Sequence, residues 1–482
     1  MTPTSRGPRA RRAARARRLA IAAIAAAGIA AAIVTGGIRS ADAQRVDPRK
    51  PSVLVVGPPS GPSPTFRGDA RRTGTTKEVL PSGPLRIAWR KTIGLNIDQP
   101  ALASADGTLA VVTATRGDVI FLDGDGEEKG RVSAGTSSAG GATMTSDGTV
   151  VFTTSAGDAV GIRRANATAH SAFAGPPQGL RFVTRIGGER NPRSAPLSLD
   201  DGGVVVATTT DLVVLDAEGN VRARVSLPES PAAPLLASGD KIIAVTTTGA
   251  VYGWTPGREP VRLGSFGAPI DGGAALADAS TLVAVIEGNH LVELDLGRGA
   301  RTSRSIAAQG LYLGPPSVRA IAAGGSLATL LAETPSRAFV VTIDGAGQET
   351  ARAPVASLTP KTLADGGAAP LVAGGHTGPL VDARGAIAFA APEDGHIGVV
   401  GPEGAVDTLG ELICTRTSRS SGVAGLTALG RGAFAVTCES GAVAKIVGLE
   451  AESIRRPGSP GPSVAPLRPA TPPPARLPDD EP

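Results

Sequence analysis

Aromatic residues are scarce in this sequence, with nine Phe, two Trp and two Tyr among 482 residues. Any interior must therefore be filled by Val, Ala, Leu and Ile, which a hydrophobic content of 41% allows. Histidine occurs four times, at His170, His290, His376 and His396, without the spacing of metal ligands. No Ser, His and acid arrangement stands out. No catalytic, cofactor-binding or metal-binding set is therefore expected. Only two cysteines are present, Cys414 and Cys438. An even pair in an oxidising compartment reads first as a disulfide, and closing a loop of about 24 residues adds on the order of 3 kcal/mol. The mature part also lacks a basic face. Residues 1–43 hold eight Arg and one Asp, so the remainder carries 40 basic and 42 acidic side chains. With no basic run interleaved with stacking aromatics, nucleic-acid binding is excluded.

What is there begins with a targeting segment. Residues 1–43 combine an Arg-rich start, a 16-residue apolar stretch at 19–34 and Ala41-Asp42-Ala43 before Gln44, the A-x-A form of a cleavage site. A cleaved signal peptide is expected. The alternative is an uncleaved anchor in the inner membrane facing the periplasm, because the apolar stretch is near the short limit for a span. Either way the bulk of the chain is expected in the periplasm or cell envelope. No Cys follows the apolar stretch, which excludes lipid attachment there. Residues 44–64 read as a Pro-rich linker, residues 65–450 as the folded part, and residues 451–482 as a disordered Pro-rich tail.

The folded part is repetitive. Residues 202–225, GGVVVATTTDLVVLDAEGNVRARV, read as three strands separated by Asp- and Gly-bearing turns. Related strand-turn-strand pieces open at Phe121, Val214, Glu293, Thr342 and Val400. Upstream of each is a small-residue strand followed by a turn, clearest at Ala101, Ala142, Ala195, Ala233 and Ala274 and weaker near Ser317, Pro379 and Gly425. Eight copies at spacings of about 40 to 60 residues point to a propeller or solenoid. The expected fold is all-β, a single β-propeller of four-stranded antiparallel blades, eight in number with seven as the alternative. Residues 85–93 precede the first full copy and have no sheet of their own. They are expected to supply the outermost strand of the last blade, beside strands from residues 423–446, and so close the ring.

Phe66-Arg67-Gly68-Asp69-Ala70-Arg71-Arg72-Thr73-Gly74, then Trp89 and the Asp106-Gly107-Thr108 hairpin, resemble the opening of the PQQ-like (quinoprotein-like) β-propeller repeat superfamily. The resemblance covers about residues 64–448. It departs from the family pattern in that the Trp of each outer strand is missing after Trp89, a displaced Trp254 apart. Within the superfamily the chain is similar to the propeller component of the outer-membrane barrel-assembly machinery, a lipoprotein, from which it differs in having no lipidation Cys. The resemblance also implies a rival reading, a quinone (PQQ)-dependent dehydrogenase. Such enzymes in many cases use adjacent cysteines, a Trp beneath the quinone, an Asp base and a calcium ion, and this sequence has no recognisable equivalent set.

The turns invite functional readings that their repetition argues against. Asp123-Gly124-Asp125-Gly126-Glu127-Glu128 looks like half a calcium loop, but Gly126 stands where a third ligand belongs. The same turn recurs at Asp216 and Asp344 without the extra acids, so a hairpin turn is expected. Arg67-Gly68-Asp69 and Arg116-Gly117-Asp118 spell an adhesion tripeptide by chance. Recognition is expected where the repeat breaks, in residues 172–192, with Arg181, Arg185 and Arg190 as candidate contacts, and in residues 353–378. The expected protein is thus an exported, non-catalytic interaction scaffold, monomeric and without a cofactor. It would serve an unknown envelope partner and touch the membrane only through an uncleaved N-terminal segment.

Overall fold

The computed structural model describes residues 63–164, 179–187, 194–288, 290–305, 311–319, 326–334, 337–344, 348–355, 378–390, 396–411, 413–414 and 422–449. The leader, nearly all of the linker, Arg190, most of residues 353–378 and the tail lie outside them. The described chain is strands and turns, arranged as eight sheets that follow one another in sequence. Blade 1 shows the unit. Leu102–Ala103, Leu109–Val112, Asp118–Leu122 and Glu128–Ser133 pair antiparallel in order, the first innermost and the last outermost. Blades 2 to 8 have their inner strands at Ser138–Met144, Leu197–Ser198, Leu236–Ser238, Ile270–Leu276, Leu311–Arg319, Leu380–Asp382 and Val423–Ala428. Each falls in or beside a copy read from the sequence, so the fold is an eight-bladed all-β propeller.

The sequence builds blades because β-branched runs fill both faces of the middle strands. Val204–Ala207 and Asp211–Leu215 are buried almost throughout, whereas the outer Val221–Ser226 alternates towards solvent. Eight apolar clusters result, and each spans two adjoining blades. Phe121 of blade 1 shares a cluster with Phe152 of blade 2, and Leu212 of blade 3 with Trp254 of blade 4. The ring closes through the cluster that joins Ala424, Ala435 and Val443 of blade 8 to Leu109 and Ile120 of blade 1. Blade 8 takes its outermost strand from Leu85–Thr92, which runs antiparallel to Ala442–Gly448. Cys414, in the link entering blade 8, is joined to Cys438 at the end of that blade's second strand, Ala433–Cys438 (Sγ–Sγ 2.08 Å, Cα–Cα 5.2 Å).

Two of the few aromatic residues are used at the seams on glycines of the neighbouring blade. Trp89 lies against Gly126 of blade 1, so close that a Cβ there would come within 2.7 Å of the indole, and its Nε1–H donates to the Gly124 carbonyl at 2.9 Å. Phe182 of blade 2 repeats the contact two seams later: a Cβ on Gly219 of blade 3 would come within 2.4 Å of the ring. A phenyl ring thus makes at this seam the contact that the Trp89 indole makes with Gly126.

Arg181 and Arg185 do not lie in the loop expected from the break in the repeat: Leu180–Arg185 is the outermost strand of blade 2, paired with Asp158–Arg163. Both arginines are engaged there. Arg181 bridges Asp147 of its own blade and Glu218 of blade 3 (3.5 Å), and donates to Thr149 Oγ1 at 2.9 Å. Arg185 bonds the Ala156 carbonyl and pairs with Asp158 at 3.4 Å. The strand has few buried residues to mark it, because an outermost strand packs only against the seam.

Candidate functional site

A propeller's axis is where its inner strands leave a row of backbone groups unpaired. Here residues 63–80 occupy it. The backbone N–H groups of Ala103, Met144, Ala237, Leu276 and Val381 lie on the free edges of the inner strands of blades 1, 2, 4, 5 and 7. They donate to the carbonyls of Ser63, Pro64, Ala70, Arg71 and Gly74 at 2.8, 2.8, 2.9, 3.0 and 2.9 Å. Thr75–Thr76 then pairs parallel with Leu380–Asp382 as a fifth strand of blade 7. Leu80 N–H donates to the fully buried Asp382 carboxylate at 3.0 Å, and Gly432 N–H of blade 8 reaches the Val79 carbonyl at 3.1 Å. Ser63 and Pro64, read as the end of the linker, are already buried in the ring.

Arg72 is the centre of this segment and is completely buried. Its Nε donates to Leu235 O at 2.9 Å, Nη1 to Phe66 O at 2.8 Å and to Thr65 Oγ1, and Nη2 to Pro196 O at 2.7 Å and Ala195 O at 3.3 Å. The guanidinium so ties the links entering blades 3 and 4 to the axial segment, using a fork of donors that only arginine offers. Burial pushes its pKa down to about 9, with Asp69 opposing and Arg67 adding to the fall, and burial takes Arg67 to about 10. Both remain cations at neutral pH. Both also adopt left-handed backbone, φ 56° and 60°, which side chains other than Gly rarely accept and which persists here because the surroundings fix it. Asp69 receives the Thr73 N–H at 2.9 Å and the Thr73 hydroxyl at 2.5 Å. The Arg67-Gly68-Asp69 tripeptide is therefore part of a half-buried turn. The second copy sits in a blade turn with Asp118 buried.

The acidic turns are explained by their own backbones. Asp123 Oδ1 accepts from Asp125 N–H at 3.0 Å and Glu127 N–H at 2.9 Å, and Oδ2 pairs with Lys129 at 2.8 Å. Asp216 receives Glu218 and Asn220 N–H at 3.0 and 2.7 Å, and Asp344 receives Gln348 N–H at 2.8 Å. These are side-chain-closed turns, and among the described residues no three His, Cys, Asp or Glu side chains are grouped to hold a metal. Among the described residues a quinone with calcium finds no fitting set of groups. The axis is crossed by residues 63–80. The two cysteines are 24 positions apart, Trp89 is spent on the Gly126 seam, and Trp254 is buried in blade 4 with its Nε1–H on Arg258 O at 3.0 Å.

Arg181 and Arg185 lie on the outer strand of blade 2, and Arg190 falls outside the described residues. Arg72 was visible only as part of the Phe66–Gly74 motif, and the one signal it gave was its place in an apolar-poor stretch that belongs to no repeat.

Architecture assigns the molecule to the eight-bladed β-propellers, with the axis filled by its own chain. No protein-family model matches the sequence, and no curated protein does. Among solved structures the chain is similar to the quinohemoprotein alcohol dehydrogenase ADHIIG from Pseudomonas putida HK5 (TM-score 0.55, 11% identity, covering 88% of this chain and 84% of that one). It is also similar to a europium-containing methanol dehydrogenase (TM-score 0.52, 11% identity, 81% and 90%). BamB from Moraxella catarrhalis matches at 18% identity over 75% of this chain and 97% of that one, with a TM-score of 0.49. The likeness to the two dehydrogenases is one of fold alone, the β-propeller.

Proposed function

We propose that this protein is an exported, non-catalytic β-propeller that serves as an interaction scaffold in the periplasm or cell envelope. The observation that supports the reading is the occupied axis. With residues 63–80 bonded to the inner strands of blades 1, 2, 4, 5 and 7, recognition is left to the two faces and the rim, surfaces suited to a protein partner. Residues 1–43 supply the export signal, and Gln44 is the expected mature N-terminus. Cross-linking in native envelopes, followed by mass spectrometry, tests both points. A reproducible protein partner and a peptide starting at Gln44 are expected.

The dehydrogenase reading draws on the fold likeness to the two alcohol-oxidising enzymes. It predicts tight stoichiometric binding of PQQ with calcium and dye reduction on alcohols or sugars. Either result with the purified protein would replace the scaffold reading.

A further inference from the structure

Residues 63–80 are held in the ring mainly by the bonds a sheet edge makes to an added peptide, with Leu80 and Ala70 their contributions to the apolar clusters. Carbonyls of the segment accept one N–H from each of six blades, 1, 2, 4, 5, 7 and 8, and Thr75–Thr76 adds a parallel strand to the blade 7 edge. Such main-chain pairing is the physics of strand addition. The return half of the recognition is cationic. Arg72 donates to carbonyls of Ala195, Pro196 and Leu235, and Arg71 Nη2 donates to Leu276 O at 3.0 Å while Leu276 N–H donates back to Arg71 O at 3.0 Å. Only Phe66 and Leu80 are large apolar side chains buried in the segment, and Val79 is exposed. Its connection to the rest of the chain runs through Ser82, an exposed residue before the Leu85–Thr92 strand.

We propose that the axial edges of the inner strands form a binding site for an extended, arginine-bearing peptide, and that residues 63–80 fill it in cis as a ligand separable from the ring. The site reads three things. Backbone carbonyls must meet N–H groups spaced by the blades, a left-handed kink must sit at the arginine, and one guanidinium must satisfy the carbonyls of the links into blades 3 and 4. Because the occupant bonds blades on all sides of the axis, it also gauges the ring: a ring of different width would leave several of these donors unpaired.

The test uses the full chain with a protease recognition sequence inserted between Ser82 and Gly83, cleaved after folding. The fragment ending at Ser82 is expected to co-elute with the ring in size-exclusion chromatography. It should exchange with a fluorescent synthetic peptide of residues 63–80, and the R72M form of that peptide should bind on the order of 100-fold more weakly. Release of the fragment with an unchanged melting temperature would overturn the proposal. So would unfolding on cleavage, a retained fragment that never exchanges, or equal binding of the R72M peptide.

Discussion

Arg72 carries a charge in a place where its direct bonds are all to carbonyls and one hydroxyl. Replacing it with Met removes five donor contacts and leaves buried acceptors, each of which costs about 1–3 kcal/mol when unsatisfied. Arg72→Met should lower stability by at least about 3 kcal/mol in urea unfolding, and Arg72→Lys should recover only part, since an ammonium cannot span the same fork. A loss below 1 kcal/mol would mean that water replaces the guanidinium freely. Asp147 shows the opposite economy of a charge at the surface. Burial alone would raise its carboxyl, but Thr145 Oγ1 (2.6 Å), Thr149 and Arg181 together hold it at about 2. The folded pKa lies below the unfolded carboxylate value, so its contribution is present above about pH 4 and is lost as pH falls through about 2. Asp147→Asn should flatten the acid limb of the stability curve in that window, followed by tryptophan fluorescence. Asp147 was legible as a turn residue from its D-G-T setting; Arg72 was not, because its partners lie up to 163 positions away.

At the scale of elements, the seams between blades depend on glycines for two separable reasons. Gly107 and Gly126 both hold left-handed backbone, φ 81° and 82°, but a Cβ on Gly107 meets nothing within 4 Å while one on Gly126 meets Trp89 at 2.7 Å. Gly107→Ala should therefore cost only the backbone strain, about 1 kcal/mol. Gly126→Ala should add the displacement of the indole, a further 1–3 kcal/mol or about that. Equal melting shifts for the two variants would mean that the Trp89 contact contributes nothing to closure. The comparison also explains what the sequence hid. Inner and middle strands announce themselves, as Val204–Ala207 and Lys241–Val245 do, through unbroken apolar runs between Asp and Gly turns. The outer strand Leu180–Arg185 does not, because half of it faces solvent and its one anchoring ring, Phe182, packs on a glycine of the next blade.

The whole molecule is a chain of nearest-neighbour seams closed into a circle, so its resistance to opening is set at the blade assembled from both ends of the folded chain. That is blade 8, where Leu85–Thr92 joins Ala442–Gly448 and where Cys414–Cys438 pins the incoming link to the second strand. A crosslink closing about 24 residues contributes about 3 kcal/mol, and the two sulfurs belong to the cluster that glues blade 7 to blade 8. Removing it in a Cys414→Ser, Cys438→Ser variant should open this seam first. Hydrogen exchange followed by mass spectrometry should then show protection falling on the order of 100-fold in Leu85–Thr92 and Val423–Ala428. Val204–Ala207 and Lys241–Val245, on the far side of the ring, should keep their protection. A uniform fall across all blades would show instead that the axial segment binds the eight into one cooperative unit. The weak point would then lie at Arg72 rather than at the seam.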